Sequence, residues 1–440
     1  MHGESELANE LRSILAARKQ SVIERLGHEL VVTGQIPIRE KGLAQPYLDS
    51  GAFSDFDVIV DVASWTTAGV GLPQIGALWQ HILVERALVL SDPIMVGQLL
   101  KHLEVAPQTS RHPVLFEAAS GLHIPVLRAL RDWLVPDPIE SVFCRPNNAL
   151  AQAIDGLGSI GKRPRYLHVG QTATAIAASQ QNDNLSESAS RLSIFCSLAF
   201  GERVNPGVLS TMGMNKLLPL DFDYAQSRLG SEIVYLETIE QRATGLRVAA
   251  APSLVKNSEF IGRAGHSETV VINSEMRGPT TLGGVAGRSR AHLIVGDLDF
   301  IASGSASSSN PLSLSNDGGD GTADGPSDYY LRFVIRNRPG IVGVIGALLG
   351  DAGIHIDQIL QLDHDEAEVQ AIKVQSATTY VNSESAWNVK LRAVPASEVL
   401  PFVISIKQAA ESSMHRALAN LNSLPFMLLP CLVLRVVDPT

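Results

Sequence analysis

At 440 residues, 45% of them hydrophobic, the chain is long enough for two or three domains with sizeable cores. Its 35 basic and 45 acidic side chains leave a net charge of −10, which argues against a nucleic-acid partner, whose phosphates attract a basic face. Cys144, Cys196 and Cys431 form no CxxC pair and no His–Cys spacing, so they read as free buried thiols in a reducing compartment and not as metal ligands.

The first residues, MHGESELANELRS, are acidic and lack the apolar core of a secretory signal. A helix is expected from Leu7 to Leu26, ended by Gly27, then a strand from Glu29 to Gly34. DVIVDV (57–62) is a near-continuous apolar run of the kind a buried parallel strand shows. A helix over about 72–84 and a strand from Ala87 to Leu90 follow. Strands alternating with helices predict an α/β domain with a doubly wound sheet. From Val114 onward VLFEAAS, SVFC and EIVYLETI read as strands among helices, a second α/β layer.

Residues 303–327, SGSASSSNPLSLSNDGGDGTADGPS, hold almost no large apolar side chain and read as a flexible linker. Beyond it, YYLRFVIR predicts a strand. Asn337-Arg338-Pro339-Gly340 breaks that strand and starts a helix, with Pro339 at the position a first helical turn tolerates. Ile341, Val342, Val344, Ile345, Leu348 and Leu349 give that helix its apolar face. Gly353 ends it, and a strand starts at Ile354. Residues 362–399 exceed what a strand connection needs and are expected to form an extra hairpin or lid. PFVISI (401–406) predicts a strand, Ala409 to Leu424 a helix, and PCLVLRVV (430–437) a last strand. The longest apolar run, Leu424 to Val437, is broken by two prolines and too short to span a bilayer. No membrane association and a cytoplasmic location are expected.

The NRPG turn and the β-α-β-β-α-β order resemble an ACT domain, a ferredoxin-like module that binds small amino acids and reports on them to an enzyme. The resemblance places an effector at Asn337, Pro339, Gly340, Ile341 and Gln361. The preceding body resembles a homoserine dehydrogenase. DVIVDVAS is similar to that family's fourth Rossmann strand, and FEAASGLHIPVLRALRDWL (116–134) to its FEA and glycine-loop segment. SRLSIFCSLAFGERVNPG (190–207) is similar to the helix that carries its catalytic lysine. Further collinear segments run on to GGVAGRSRAHLIVGDLDFIA (283–302). The implied organisation is α/β throughout: a degenerate Rossmann-like domain over 1–113 that lacks its first strand, a substrate and dimerisation domain over 114–302, the linker over 303–327, and the ACT domain over 328–440.

The family's chemistry is hydride transfer between NAD or NADP and the carbonyl of aspartate semialdehyde, with lysines supplying protons and positive charge. This sequence departs from that pattern at several places. Of the dinucleotide fingerprint only Gly3 is kept, with Glu4 and Glu6 adding negative charge where phosphate sits. A later cofactor Gly-Gly falls on Ser64-Trp65. Pro93 stands where the family's Thr-Ala-Asn-Lys segment has its lysine. Glu187 and Arg191 replace an aspartate and lysine spaced i, i+4; arginine does not release a proton near neutral pH, and the pair also reads as a helical salt bridge. The substrate-binding glutamate has no counterpart within 174–180, leaving Asp183 as the nearest acid. The Gly-Thr-Thr-Asn motif keeps only Asn148, and the Gly-Ala-Gly-x-x-Pro-Thr loop becomes 284–290. His123 lies in the altered glycine loop.

The pattern keeps the scaffold (Phe116-Glu117-Ala118, Ile124-Pro125, Leu229-Gly230, Asp297-Leu298) and changes the chemistry. It implies an impaired dehydrogenase homologue with no bound cofactor that acts as an amino-acid-sensing regulatory protein, its effector threonine or a relative. A homodimer is expected, with an active dehydrogenase or aspartokinase as a further partner. The alternative is an active NAD(P)-dependent homoserine dehydrogenase regulated through the ACT domain.

Overall fold

The computed structural model describes residues 7, 9–16, 58–62, 87–93, 95–96, 114–130, 137–148, 151–152, 154, 183–213, 216–256, 268–284, 290–303, 322–362, 366–379 and 385–439. Its strands are β1 (Val58–Asp61), β2 (Ala87–Leu90), β3 (Val114–Leu115), β4 (Ile139–Arg145), β5 (Ser210–Thr211), β6 (Glu232–Arg242), β7 (Gly245–Val255), β8 (Thr269–Ser274), β9 (Gly278–Gly283), β10 (Pro326–Arg336), β11 (Ile356–Leu360), β12 (Val399–Ala410) and β13 (Leu432–Val437). The longer helices are α1 (Asp183–Phe200), α2 (Pro219–Leu229), α3 (Ala291–Ala302), α4 (Ile341–Asp351), α5 (Glu366–Thr379), α6 (Ser385–Ala393) and α7 (Glu411–Asn422).

The chain divides into two compact units. One comprises Met1–Val142, Ser186–Leu209 and Ser267–Asp320; the other comprises Phe143–Leu185, Ser210–His266 and Gly321–Thr440. This division differs from the sequence-based borders at 113, 302 and 327.

In the first unit β1, β2 and β3 pair in that order, all parallel, with Val58 opposite Ala87 and Leu88 opposite Val114. Both expected strands, 57–62 and 87–90, are found. They bury apolar residues on both faces, and helices cover one of them. Leu11 and Leu15, in a helix over residues 9–16, pack with Val60, Val89, Leu115 and, from α3, Ile294, Val295 and Leu298. The expected helix end at Gly27 and the strand at 29–34 lie outside the described residues. VLFEAAS is only partly a strand. After Leu115 the chain turns into a 3-10 helix, Glu117–Ser120, closed by Gly121 at φ +68°. The Ser120 hydroxyl donates back to the Glu117 carbonyl, 2.9 Å away, which holds the tighter turn. β8 and β9 form a hairpin, and Asp137 accepts the backbone N–H groups of Met276 and Arg277 at its turn (2.8 and 3.2 Å).

In the second unit the sheet order is β11-β12-β10-β13-β7-β6, with β5 beside β7. β10, α4, β11, β12, α7 and β13 follow the β-α-β-β-α-β order, and their strands lie 2-3-1-4, the ferredoxin-like arrangement. One face carries Tyr329, Leu331, Phe333 and Ile335 of β10 with Phe402, Ile404 and Ile406 of β12, packed against Ile345 and Leu349 of α4 and Met414 and Leu421 of α7. The Phe333 and Phe402 rings stack with centroids 5.1 Å apart.

Four details differ from expectation. Pro339 is not the first helical residue: it and Gly340 form a turn, Gly340 takes φ +85° as the N-cap, and α4 begins at Ile341. Only Ile341, Ile345 and Leu349 of α4 are buried, a stripe at i, i+4, i+8, while Val342 and Val344 are exposed. The strand expected from Ile354 starts at Ile356. Among the described residues, 362–399 form α5, α6 and a 3-10 turn and no β-hairpin. The last turn of α4 closes as expected: Gly353 has φ +74° and the Ile354 N–H reaches the Leu349 carbonyl at 2.9 Å.

The segment read as the linker's end is part of the structure. Thr322 bridges to Arg247, the Ala323 N–H donates to the Leu246 carbonyl (3.1 Å), and β10 begins at Pro326. β13 runs parallel to β7, so the C-terminal strands extend the sheet of β6 and β7. Arg247 adds a cross-tie, donating to Ser327 Oγ (2.5 Å) and Tyr329 Oη (3.0 Å) and pairing with Glu411 (2.7 Å).

Asp324 caps α7 from a distance in sequence. Its Oδ1 accepts the Glu411 N–H at 2.8 Å, and its Oδ2 accepts the Ser412 hydroxyl at 2.5 Å. The N-cap position itself is Ala410, which has no side-chain acceptor. Asp324→Ala is therefore expected to cost about 1 kcal/mol of stability, the usual loss of a cap. The Ser412 hydroxyl and the backbone N–H groups hold the Asp324 carboxyl below its ordinary range. A depressed acid stabilises above its unfolded pKa and loses that contribution as pH falls through its folded one. The difference between variant and parent in urea unfolding is thus expected at neutral pH and should shrink in acid.

Candidate functional site

The site is built around residues 116–128 of the first unit. Burial of the apolar residues on either side leaves Glu117 inside the protein, and two backbone donors satisfy it. The Leu127 and Arg128 N–H groups each lie 2.8 Å from its carboxylate oxygens. Asp297 of α3 accepts the Glu117 N–H (3.0 Å) and the Arg128 guanidinium (2.7 Å), and that guanidinium also lies over the Phe300 ring. Burial, with Asp297 adding to it, pushes the Glu117 carboxyl up to about 7 against the pull of the two N–H donors and Arg128. A cavity of about 20 Å³, lined by Glu117, Leu127, Arg128, Leu198 and Asp297, adjoins the cluster; that is room for about one water. Glu117 was expected among the scaffold positions, and its contacts are those of a cap.

Next along the chain, Ser120 and Gly121 meet α1. Arg191 is 1% exposed and its Nη1 donates to the Ser120 carbonyl at 2.6 Å, while Glu187 Oε1 lies farther away at 3.4 Å. Arg191 is therefore held first by a backbone carbonyl of the 116–121 segment and second by its helical neighbour. A Cβ at Gly121 would overlap both side chains.

Two residues on, His123 meets Glu268, the residue before β8. Glu268 Oε1 accepts the His123 backbone N–H, and Oε2 lies 3.0 Å from Nδ1 of the ring. The Gly284 N–H donates to the Glu268 carbonyl at 3.2 Å. A Cβ at Gly284 would come within 2.5 Å of Ile124 Cγ2 and 3.1 Å of Glu268 Oε1, so only glycine fits there without displacement. Ile124 and Pro125 then lead into the helical turn Val126–Arg128.

The end of β2 shows what replaced the expected lysine. Asp92 Oδ1 accepts the Met95 N–H (3.2 Å) and its carbonyl accepts the Val96 N–H (3.2 Å), so Asp92 is an N-cap and Pro93 the first helical residue. Ser91, Asp92 and Pro93 are all buried. Pro93 thus has a helix-starting role that a lysine would fill less well.

The remaining site residues do not join this group. Asn148, in the second unit, accepts the Ala151 N–H at 2.9 Å, a cap. Asp183 is the first residue of α1. Gly3, Ser64 and the 174–180 segment lie outside the described residues. Asn337, Pro339 and Gly340 are exposed at the turn before α4 and Ile341 is buried beneath it; Gln361 is exposed just after β11. The Asn337 N–H donates to the Glu398 carbonyl (2.7 Å), and Arg336 pairs with the Glu398 carboxylate (2.6 Å). Cys144 and Cys196 are buried and Cys431 is half-buried; all three are free. Burial raises the thiols of Cys196 and Cys431, the latter to about 12, so they are inert at neutral pH. Sequence reasoning missed the partnership of His123 with Glu268, because 145 residues separate them.

No family model matches the chain. Among curated proteins, the homoserine dehydrogenase of Pseudomonas aeruginosa is 25% identical over 385 residues, covering 81% of this chain and 86% of that protein. The homoserine dehydrogenase of Neisseria gonorrhoeae is 23% identical over 406 residues, covering 85% and 91%. Among solved structures, a homoserine dehydrogenase from Thiobacillus denitrificans shares the fold with a TM-score of 0.75 at 18% identity, over 100% of this chain and 97% of that one. That of S. aureus gives 0.65 at 12% identity, over 99% and 97%. The chain is thus similar to homoserine dehydrogenases through both units and nearly the full length of each relative, and it shares their fold.

Proposed function

We propose that this protein is a homoserine dehydrogenase homologue with impaired catalysis, acting as an amino-acid-sensing regulatory protein of the aspartate-family pathway. The observation that carries the reading is the structural role of the two residues that stand where the family resemblance implies lysines. Pro93 begins a helix behind its Asp92 cap, and Arg191 is buried against the Ser120 carbonyl. A guanidinium so placed can stabilise charge but cannot pass a proton. In a parallel sheet a dinucleotide lies beyond the carboxyl ends of the strands. At the end of β2 those positions hold Ser91, Asp92 and Pro93, with a carboxylate already engaged as a cap and no cation among them. This strand end therefore offers a bound cofactor no cationic side chain.

The sensing part rests on the turn before α4. The helix begins with an uncapped N-terminus at Gly340, and Asn337 stands exposed beside it. Backbone N–H groups at such an end suit the carboxylate of an amino acid. Calorimetry with threonine, methionine, lysine and isoleucine is expected to give saturable binding for at least one. Silence from all four removes the sensing role. Titration with NADPH and NADH is expected to show no micromolar binding and no oxidation of homoserine; turnover would overturn the impaired-catalysis reading. The second reading, an active NAD(P)-dependent homoserine dehydrogenase, is favoured by relatives that carry that name, matched over most of their length.

A further inference from the structure

We propose that Glu117 is a proton-operated clasp in the first unit: ionised, it holds the helical turn Val126–Arg128 by two backbone hydrogen bonds, and neutral, it releases one of them. The inference stands on this cluster alone and is independent of the sensing reading. Each Glu117 carboxylate oxygen accepts one N–H, from Leu127 or from Arg128, at 2.8 Å. Protonation puts a hydrogen on one of those oxygens and turns it from acceptor to donor. One of the two N–H groups then faces a donor and loses its partner. Charge balance within the cluster favours that proton. Glu117 and Asp297 are 4% and 1% exposed, and the Arg128 guanidinium, 2.7 Å from Asp297, matches only one of the two carboxylates. A second buried negative charge is costly, and burial, with the repulsion of Asp297, holds the Glu117 carboxyl up at about 7.

The other charged groups on the surrounding elements are engaged elsewhere. His292 and Asp299 lie off the buried face of α3. Asp92, past the end of β2, holds the Met95 N–H at 3.2 Å. Glu187 and Arg191 of α1 meet the far end of the 3-10 helix, at Gly121, where Arg191 holds the Ser120 carbonyl at 2.6 Å. The cavity beside Glu117 has room for about one water, and the Arg128 side chain is 29% exposed, so the proton has a path to solvent on that side. Ionisation has two opposite effects. It completes the clasp on Leu127 and Arg128, and it places two like charges in one buried cluster. An acid whose folded pKa is raised above its unfolded one contributes stability that is present below the unfolded pKa and lost as pH rises to the folded one. Between about pH 5 and about pH 8 the turn should therefore tighten while the fold as a whole loses stability.

Urea unfolding and amide hydrogen exchange of the full chain, followed across that pH range, test this. Glu117→Gln keeps the size of the side chain and fixes it neutral, with one acceptor and one donor. The unfolding constant of the parent, taken relative to Glu117→Gln, should rise on the order of 10²-fold between about pH 5 and about pH 8. Over the same interval exchange in the peptide that holds Leu127 and Arg128 should slow in the parent, once corrected for its intrinsic pH dependence. In Glu117→Gln it should stay fast throughout. A glutamate that serves packing alone would move neither quantity, or both in the same sense. The infrared band of a protonated buried carboxyl should be present in the parent at about pH 6, gone by about pH 8.5, and absent from Glu117→Gln. An unfolding ratio flat with pH, exchange that does not follow it, or a missing band at the lower pH overturns the proposal. Should the Gln variant not fold, Asp297→Asn decides: loss of the neighbouring charge should move the midpoint of the band to lower pH, and a midpoint that stays in place also overturns it.

Discussion

Replacing Arg332 by Met is expected to destabilise the second unit by about 3–5 kcal/mol, the cost of leaving one partner of a buried ion pair alone. Arg332 and Asp221 are both fully buried and 3.1 Å apart. Asp221 also accepts the Tyr330 hydroxyl (2.7 Å) and reaches back to the Leu218 N–H (2.7 Å), which fixes the first turn of α2. Burial pushes the Asp221 carboxyl upward, and Arg332, Leu218 and Tyr330 oppose it. Arg332 in turn donates to the Lys216 carbonyl at 3.2 Å. Urea unfolding of the parent, Arg332→Met, Asp221→Asn and the double variant checks the assignment. The two single losses should exceed the loss in the double variant when summed, because the second substitution removes a charge already stranded. Recovery should be partial, since Tyr330 and Leu218 lose an ionised acceptor in either case. Salt should change little, the pair being shielded from solvent ions. A cost under roughly 1 kcal/mol for Arg332→Met would place this pair among ordinary surface bridges.

That ion pair shows where the sequence could and could not be read. In YYLRFVIR the period of two is plain, and Tyr329, Leu331, Phe333 and Ile335 do share the core face. The same period assigns Arg332 to the opposite face and, by charge, to water. The opposite face is also buried, so Tyr330, Arg332 and Val334 are all enclosed. Whether a sheet is covered on one side or two depends on elements distant in sequence, here α2. The parallel strands at 58–61 and 87–90 were legible because apolar runs bounded by polar residues suffice for them. The 303–327 segment was misleading at its end. Composition suggests few contacts there, yet Asp324 and Thr322 are held by polar ones, to α7 and to Arg247. The inserted helices α5 and α6 escaped notice because the apolar residues of α5 carry no strong helical period and α6 is short. At the site, local motifs located Glu187, Arg191 and Pro93. The contacts that define what they do, with Ser120, Gly121 and the Asp92 cap, were not read from the sequence, although the adjacent Asp92-Pro93 pair carries the usual residues of a helix start.

Gly121→Ala should be the more damaging of two similar glycine substitutions, and the difference measures how firmly Arg191 is held. Gly121 and Gly201 both belong to the first unit and have nearly the same backbone angle, φ +68° and +66°. An alanine in that left-handed region costs about 1–2 kcal/mol by itself, and Gly201 has open space beyond its Cα. At Gly121 the added methyl would also overlap Glu187 and Arg191, and Arg191 has no room to retreat at 1% exposure. Displacing it breaks the 2.6 Å bond to the Ser120 carbonyl, which as a charge-assisted bond adds roughly 1.5–3 kcal/mol. The expected total is about 3–5 kcal/mol for Gly121→Ala against about 1–2 for Gly201→Ala. In an Arg191→Ala background the excess at Gly121 should largely disappear, because the two changes then share one lost interaction. Thermal unfolding of the four variants and the parent provides the comparison. Equal costs at the two glycines would mean that Arg191 moves aside freely. A side chain that mobile could serve a reacting group, so the same result would weaken the case that Arg191 has become a structural clamp.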